Sequence, residues 1–84
     1  MKYRLLVSVE VIEFLEGLSQ PARESLWKRF RQILNNPEQF SDYTAMDSNG
    51  RTLDVNVHAG IAIHYWEDLA DRHVKILELQ NADR

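Results

Sequence analysis

Between Arg51 and Leu79, apolar and polar side chains alternate in three successive runs. They are Thr-Leu-Asp-Val-Asn-Val-His at 52–58, Ile-Ala-Ile-His-Tyr-Trp-Glu at 61–67 and His-Val-Lys-Ile-Leu-Glu-Leu at 73–79. Period two is the spacing of a strand with one buried face, and runs joined by short turns predict an antiparallel meander. Such a ribbon is stable only if something covers its apolar face, so the upstream sequence must supply a cover. A chain of 84 residues suffices for one core, and residues 1–84 are read as a single domain.

The upstream half fits that role. Tyr3 to Val9 reads as a first strand, with Tyr3, Leu5, Val7 and Val9 on one face and Leu6 on the other. Apolar groups on both sides predict an interior position. A helix starting at Ser8 or Glu10 then carries Val11, Phe14, Leu15 and Leu18 as a stripe, and Gly17 to Gln20 is a turn. Pro21 restarts the chain in a first helical turn capped by Ser19 or Gln20. Leu26, Trp27, Phe30, Ile33 and Leu34 form the next stripe, with Arg23, Lys28, Arg29 and Arg31 on the solvated side. Asn35-Asn36-Pro37 ends this helix, because the residue before proline is driven out of the α region. Tyr43 to Met46 is read as a short second strand, and Asp47-Ser48-Asn49-Gly50 as the turn after it. The expected fold is α+β: an N-terminal strand, a helical hairpin, then an antiparallel meander of three to four strands, β-α-α-β-β-β-β.

The connection between the third and fourth strands decides which residues share a face. A two-residue loop at Ala59-Gly60 sets Val57 opposite Ala62 and puts the apolar rows on opposite faces. A three-residue loop, His58-Ala59-Gly60, sets Val57 against Ile61, Val55 against Ile63 and Leu53 against Tyr65. The second keeps one buried row and is the expectation; it places Asp54 opposite His64, Asn56 opposite Ala62 and Thr52 opposite Trp66 on the open face. In the last strand Val74, Ile76, Leu77 and Leu79 break the alternation, which fits either a doubly buried central strand or a bulge near Leu77.

Composition narrows the function classes. The chain has no cysteine, which removes disulfide staples and thiolate metal sites. A net charge of −3 argues against gripping nucleic acid by bulk charge, though not against a local basic patch. The run Met-Lys-Tyr-Arg-Leu-Leu-Val-Ser-Val-Glu meets charge too soon to be a signal peptide, and no segment is long and apolar enough for a membrane span. A cytoplasmic location without a membrane partner is expected.

In order of elements the chain resembles the RelE/ParE toxin superfamily of bacterial type II toxin–antitoxin systems. The likeness rests on Tyr-Arg-Leu-Leu-Val in the first strand, Leu-Glu-Gly-Leu at 15–18, Ile-Leu-Asn-Asn-Pro at 33–37, Gly50, and Gly60 to Tyr65 as a Gly-x-x-Ile-His-Tyr strand. It implies a toxin neutralised by a cognate antitoxin laid over the sheet and helices. It also implies action on mRNA at the ribosome or on DNA gyrase, through the sheet face away from the helices. The family's nucleases use Arg and Lys there. This chain has Ala62 where an arginine is common, Asp54 and Asn56 where basic residues are expected, and only Arg84 in the C-terminal basic segment. The rival implication is a non-catalytic interaction module, a degenerate toxin homologue or dimerising regulator, for which a homodimer is expected.

With the longer loop, Asp54, Asn56, His58, His64 and Trp66 share the open face. An Asp–His pair performs acid–base chemistry, the carboxylate orienting the imidazole that moves the proton. Phosphodiester cleavage also needs a cation for the transition state. His64, Asp54 and Arg84 are the catalytic candidates. Arg51, Asn56, His58, Trp66, Arg72 and Lys75 are the candidates for holding RNA or a protein partner. The plain alternative is a solvated cross-strand pair worth about 0.2–1 kcal/mol. Trp66 either stacks a base or anchors a partner. His73 is expected to be exposed. His58, His64 and Asp54 lack the spacing of a closed metal site, and no cofactor is expected.

Overall fold

The structure, a computed structural model, describes residues 3–82. In chain order its elements are β1 (Arg4–Val7), α1 (Val9–Glu16), α2 (Gln20–Asn35), β2 (Tyr43–Met46), β3 (Thr52–His58), β4 (Ile61–Asp68) and β5 (His73–Asn81). Both helices begin on a serine cap. Ser8 Oγ accepts from the Val11 N–H at 3.2 Å and donates to the Leu77 carbonyl at 3.0 Å, tying the start of α1 to β5. Ser19 Oγ accepts from the Ala22 N–H at 3.3 Å, with Pro21 in the first turn. Asn36 closes α2 ahead of Pro37, whose carbonyl accepts from the Tyr65 hydroxyl. Among the described residues no helix is long and apolar enough to cross a membrane.

The sheet order is β1-β5-β4-β3-β2, with β1 parallel to β5 and the other pairs antiparallel. The sheet is therefore mixed, and β1 is an edge strand rather than an interior one. Leu6, which suggested a second buried side, lies 43% exposed on the face the helices leave uncovered. In β5 the register jumps from His64↔Glu78 to Tyr65↔Ile76, so Leu77 is the extra residue of a bulge. The bulge returns Leu79 to the face of Val74 and Ile76, which accounts for the broken alternation.

The core lies between that face and the helices. Val11 and Leu15 of α1 and Leu26, Phe30 and Ile33 of α2 pack with Ile63, Tyr65, Val74, Ile76 and Leu79. The Trp27 and Phe30 rings meet edge to face at 5.3 Å. Trp27, Leu34 and Ile61 pack against this cluster; Leu53 and Val55, though buried, are not part of it.

The reason is the register. Strands β3 and β4 pair Asp54↔Tyr65, Asn56↔Ile63, Val57↔Ala62 and His58↔Ile61, across a two-residue turn at Ala59-Gly60. Both turn residues have positive φ, 53° and 79°, the conformation whose twist matches that of the strands it joins. The three-residue loop is thus overturned, and every side chain of β3 changes face. Asp54, Asn56 and His58 point toward the helices, while Leu53, Val55 and Val57 point away. The polar row is accommodated because each member finds a partner. Asn56 Nδ2 donates to the Phe40 carbonyl at 2.9 Å, Ser41 Oγ donates to Asp54 at 2.7 Å, and His58 meets Ser25. Burying that row with its hydrogen bonds made costs little, and the apolar row then closes against its own neighbours on the far side.

Ala59 holds a left-handed conformation that costs an alanine about 1 kcal/mol. An Ala59→Asn variant, whose residue tolerates that region, is expected to gain about 0.5–1 kcal/mol in urea unfolding at unchanged slope. No gain would mean position 59 is not left-handed in solution.

Candidate functional site

The sheet face away from the helices is built from one row of each strand. The pairing registers align Leu6 of β1, Lys75 of β5 and Trp66 of β4 across it, and likewise Tyr43 of β2, Val55 of β3, His64 of β4 and Glu78 of β5. Leu53, Val55 and Ala62 at its centre are nearly inaccessible, although no helix covers them. Tyr43 and Val57 on the same face remain 51% and 41% exposed. The surface is therefore apolar in its middle, with aromatic and aliphatic groups left open at its margins.

At one end of this face the Trp66 ring is in contact with two cations. The Arg51 guanidinium carbon is 4.8 Å from the ring centroid and the Lys75 ammonium 5.2 Å. Each cation is itself held by a carboxylate. Asp47 bonds Arg51 Nε and Nη2, both at 3.0 Å, and Asp68 bonds Lys75 Nζ at 3.0 Å. The turn after β2 orients Asp47, because its second oxygen accepts the Asn49 and Arg51 N–H groups at 2.9 and 2.8 Å. Those bonds, the Arg51 N–H foremost, hold Asp47 below the usual carboxylate range. The Lys75 ammonium and then the Asp71 N–H do the same for Asp68.

The sequence candidates separate on this geometry. His64, Trp66, Arg51 and Lys75 share the open face. Asp54, Asn56 and His58 do not; they lie on the helix side, in bonds to Ser41, to Arg29 at 3.3 Å and to Ser25. The Asp54–His64 pair is dissolved, since His64 stands opposite Val55. His64 Nδ1 is buried without a hydrogen-bond partner among the described residues. Arg72, in the turn before β5, has a φ of 59° and already takes part in another interaction. His73 is half-buried beside Asp68 rather than exposed. Arg84 lies outside the described residues. Among the described residues no group of three or more His, Asp or Glu is placed to hold a metal ion. Sequence reasoning missed Asp47 and Asp68 as the groups that fix the cations. Asp47 had a signal in its Asp-Ser-Asn-Gly turn, but Asp68 had none.

Neither a protein-family model nor a curated protein matches the sequence. Solved structures do match the fold. A chain of the RelE–RelB complex of Pyrococcus horikoshii OT3 superposes with a TM-score of 0.80 at 20% identity, covering 100% of this chain and 99% of that one. The fold is that of the RelE toxins. A chain of the Mycobacterium tuberculosis toxin–antitoxin complex RelBE2 gives 0.81 at 11% identity, covering 96% of this chain and 99% of that one. The isolated Escherichia coli RelE toxin gives 0.75 at 18% identity, covering 98% of this chain and 86% of that one. The expected α+β class is met, with β1 at the edge as the amendment.

Both carboxylates flanking Trp66 titrate lower in the folded chain than in the unfolded one. Their stabilisation is full above the unfolded value, about 4, and is lost as pH falls through the lower folded values. Urea midpoints are expected to fall below about pH 4, and an Asp68→Asn variant to show a shallower fall. An unchanged slope in that variant would mean that the Lys75–Asp68 contact is not formed in solution.

Proposed function

We propose that this chain is the toxin component of a type II toxin–antitoxin pair. Its open sheet face is held by a cognate antitoxin and, once released, acts on mRNA at the ribosome. The observation that carries the reading is that face: apolar at its centre, uncovered by either helix, and ending in a tryptophan in contact with two cations. The structures that share the fold are of RelE, alone and with RelB, which supports the antitoxin as partner. Exposed Leu6, Tyr43 and Val57 fit the apolar side chains of a partner segment.

The Trp66 cluster favours RNA over gyrase. A base displacing Arg51 or Lys75 from the ring gains stacking of about 1–3 kcal/mol. The displaced cation exchanges its carboxylate for a phosphate without leaving the site. His64 lies on this face as the candidate proton acceptor, and Arg51 and Lys75 as the candidates to stabilise the phosphoryl charge.

Induced expression is expected to arrest growth, with the product of an adjacent open reading frame restoring it. Incorporation of labelled amino acid should fall at once while plasmid supercoiling is unchanged. Loss of supercoiling first would move the target to gyrase. A folded Trp66→Ala variant should need at least ten times the inducer dose to arrest growth. Full toxicity in that variant would sink the assignment to this face, and normal growth of cells holding the folded wild-type protein would favour a non-catalytic interaction module.

A further inference from the structure

A different constellation sits on the opposite side of the sheet, where the β3–β4 turn meets α2. Ser25 Oγ lies 2.8 Å from His58 Nε2. Leu18, Ala22, Ser25, Leu26, Ala59 and Ile61 line a cavity of about 190 Å³ beside that pair. Its wall is apolar except for the serine. Arg29 follows Ser25 by one helical turn and so shares its face of α2. Its Nη1 bonds Asn56 and its guanidinium covers the Phe40 ring, yet its Nε is buried with no hydrogen-bond partner among the described residues.

We propose that Ser25 is a nucleophile, with His58 as its base, and that it accepts a short acyl group from a small activated ester whose acyl chain occupies this cavity. A hydroxyl within about 2.6–3.2 Å of an imidazole nitrogen is the geometry such activation requires. Burial, and then the neighbouring Arg29 charge, lower the pKa of His58, so the ring is neutral near pH 7 and can receive a proton. In the step, the bond from Ser25 Oγ to the acyl carbon forms as the bond from that carbon to the leaving oxygen breaks. The hydroxyl proton passes to His58 Nε2 and then to the leaving alcohol. The Arg29 charge, which already acts on His58, favours the oxygen that gains negative charge. Water then attacks the acyl–Ser25 ester, gives up its proton through His58 and releases the acid, with Ser25 regenerated. A cavity this size holds only about six water volumes, which limits the acyl chain to a few carbons. Nothing in this step uses the outer face, so it stands or falls apart from the toxin reading.

The test is covalent labelling of the full chain with an alkyl fluorophosphonate, in which the Ser25 oxygen–phosphorus bond replaces the phosphorus–fluorine bond. One adduct per chain is expected, located at Ser25 by peptide mapping of the wild type. His58→Gln should label at least tenfold more slowly while unfolding at a similar urea concentration, and p-nitrophenyl butyrate should compete. No adduct, an adduct mapped to another residue, or a folded His58→Gln labelling at the wild-type rate would overturn the proposal. Mapping on the wild type decides the location even where Ser25→Ala fails to fold.

Discussion

The turn at Ala59-Gly60 governs the rest of the molecule. Two residues with positive φ fix the parity between β3 and β4, and parity decides which row of each strand meets the helices. With this parity Ile61, Ile63 and Tyr65 close the core, while the apolar row of β3 faces away from it. The energetic balance is not obvious from hydrophobicity alone. A register with both apolar rows inward buries more carbon under the helices. It also sends Asp54, Asn56 and His58 outward and forfeits their bonds to Ser41, Phe40, Arg29 and Ser25. Hydrogen bonds made inside a protein are individually worth about 1 kcal/mol, and several outweigh one misplaced row when that row finds cover of its own.

The outer row finds that cover. Val55 is fully buried on a helix-free face because Tyr43 on one side and His64 on the other flank it in the pairing. The sheet therefore has two apolar layers of unequal thickness. The thick one, between sheet and helices, makes the domain stable. The thin one leaves side chains such as Leu6, Tyr43 and Val57 partly in water, the state of a surface that a second chain completes.

Local features of the sequence were legible where the cause is local. Ser8, Ser19, Pro21 and Asn36-Pro37 bound the helices within a residue of where their caps predict, since capping depends on neighbours three or four positions away. Gly50, with a φ of 80°, ends the expected turn. The register of β3 was not legible, because the partners that make its polar row acceptable lie 13 to 33 residues away and on other elements. The edge position of β1 was hidden for a related reason. Leu6 is apolar on account of the outer layer, whereas a residue read alone implies only that something covers it. Of the site, the alternation exposed Trp66 and His64 correctly, but their imagined partner Asp54 went with the wrong row.

The carboxylates around Trp66 give that cluster its character. A net charge of −3 leaves no general attraction for a polyanion, so any nucleic acid held on this face is held locally. Arg51 and Lys75 are each ion-paired, and ion pairing ordinarily weakens a cation as a phosphate ligand. The pairing has the opposite consequence for geometry. Asp47 and Asp68 hold two long, mobile side chains against the indole before anything binds, so that little further ordering is needed when a phosphate takes over from a carboxylate. On the proposed function the carboxylate left behind stays beside the bound phosphate and opposes it, so the ligand is selected by stacking of a flat base on the ring, which a simple anion cannot do. The same carboxylates would repel an acidic protein segment, so a partner that covers this end of the face is expected to meet it with apolar or basic side chains.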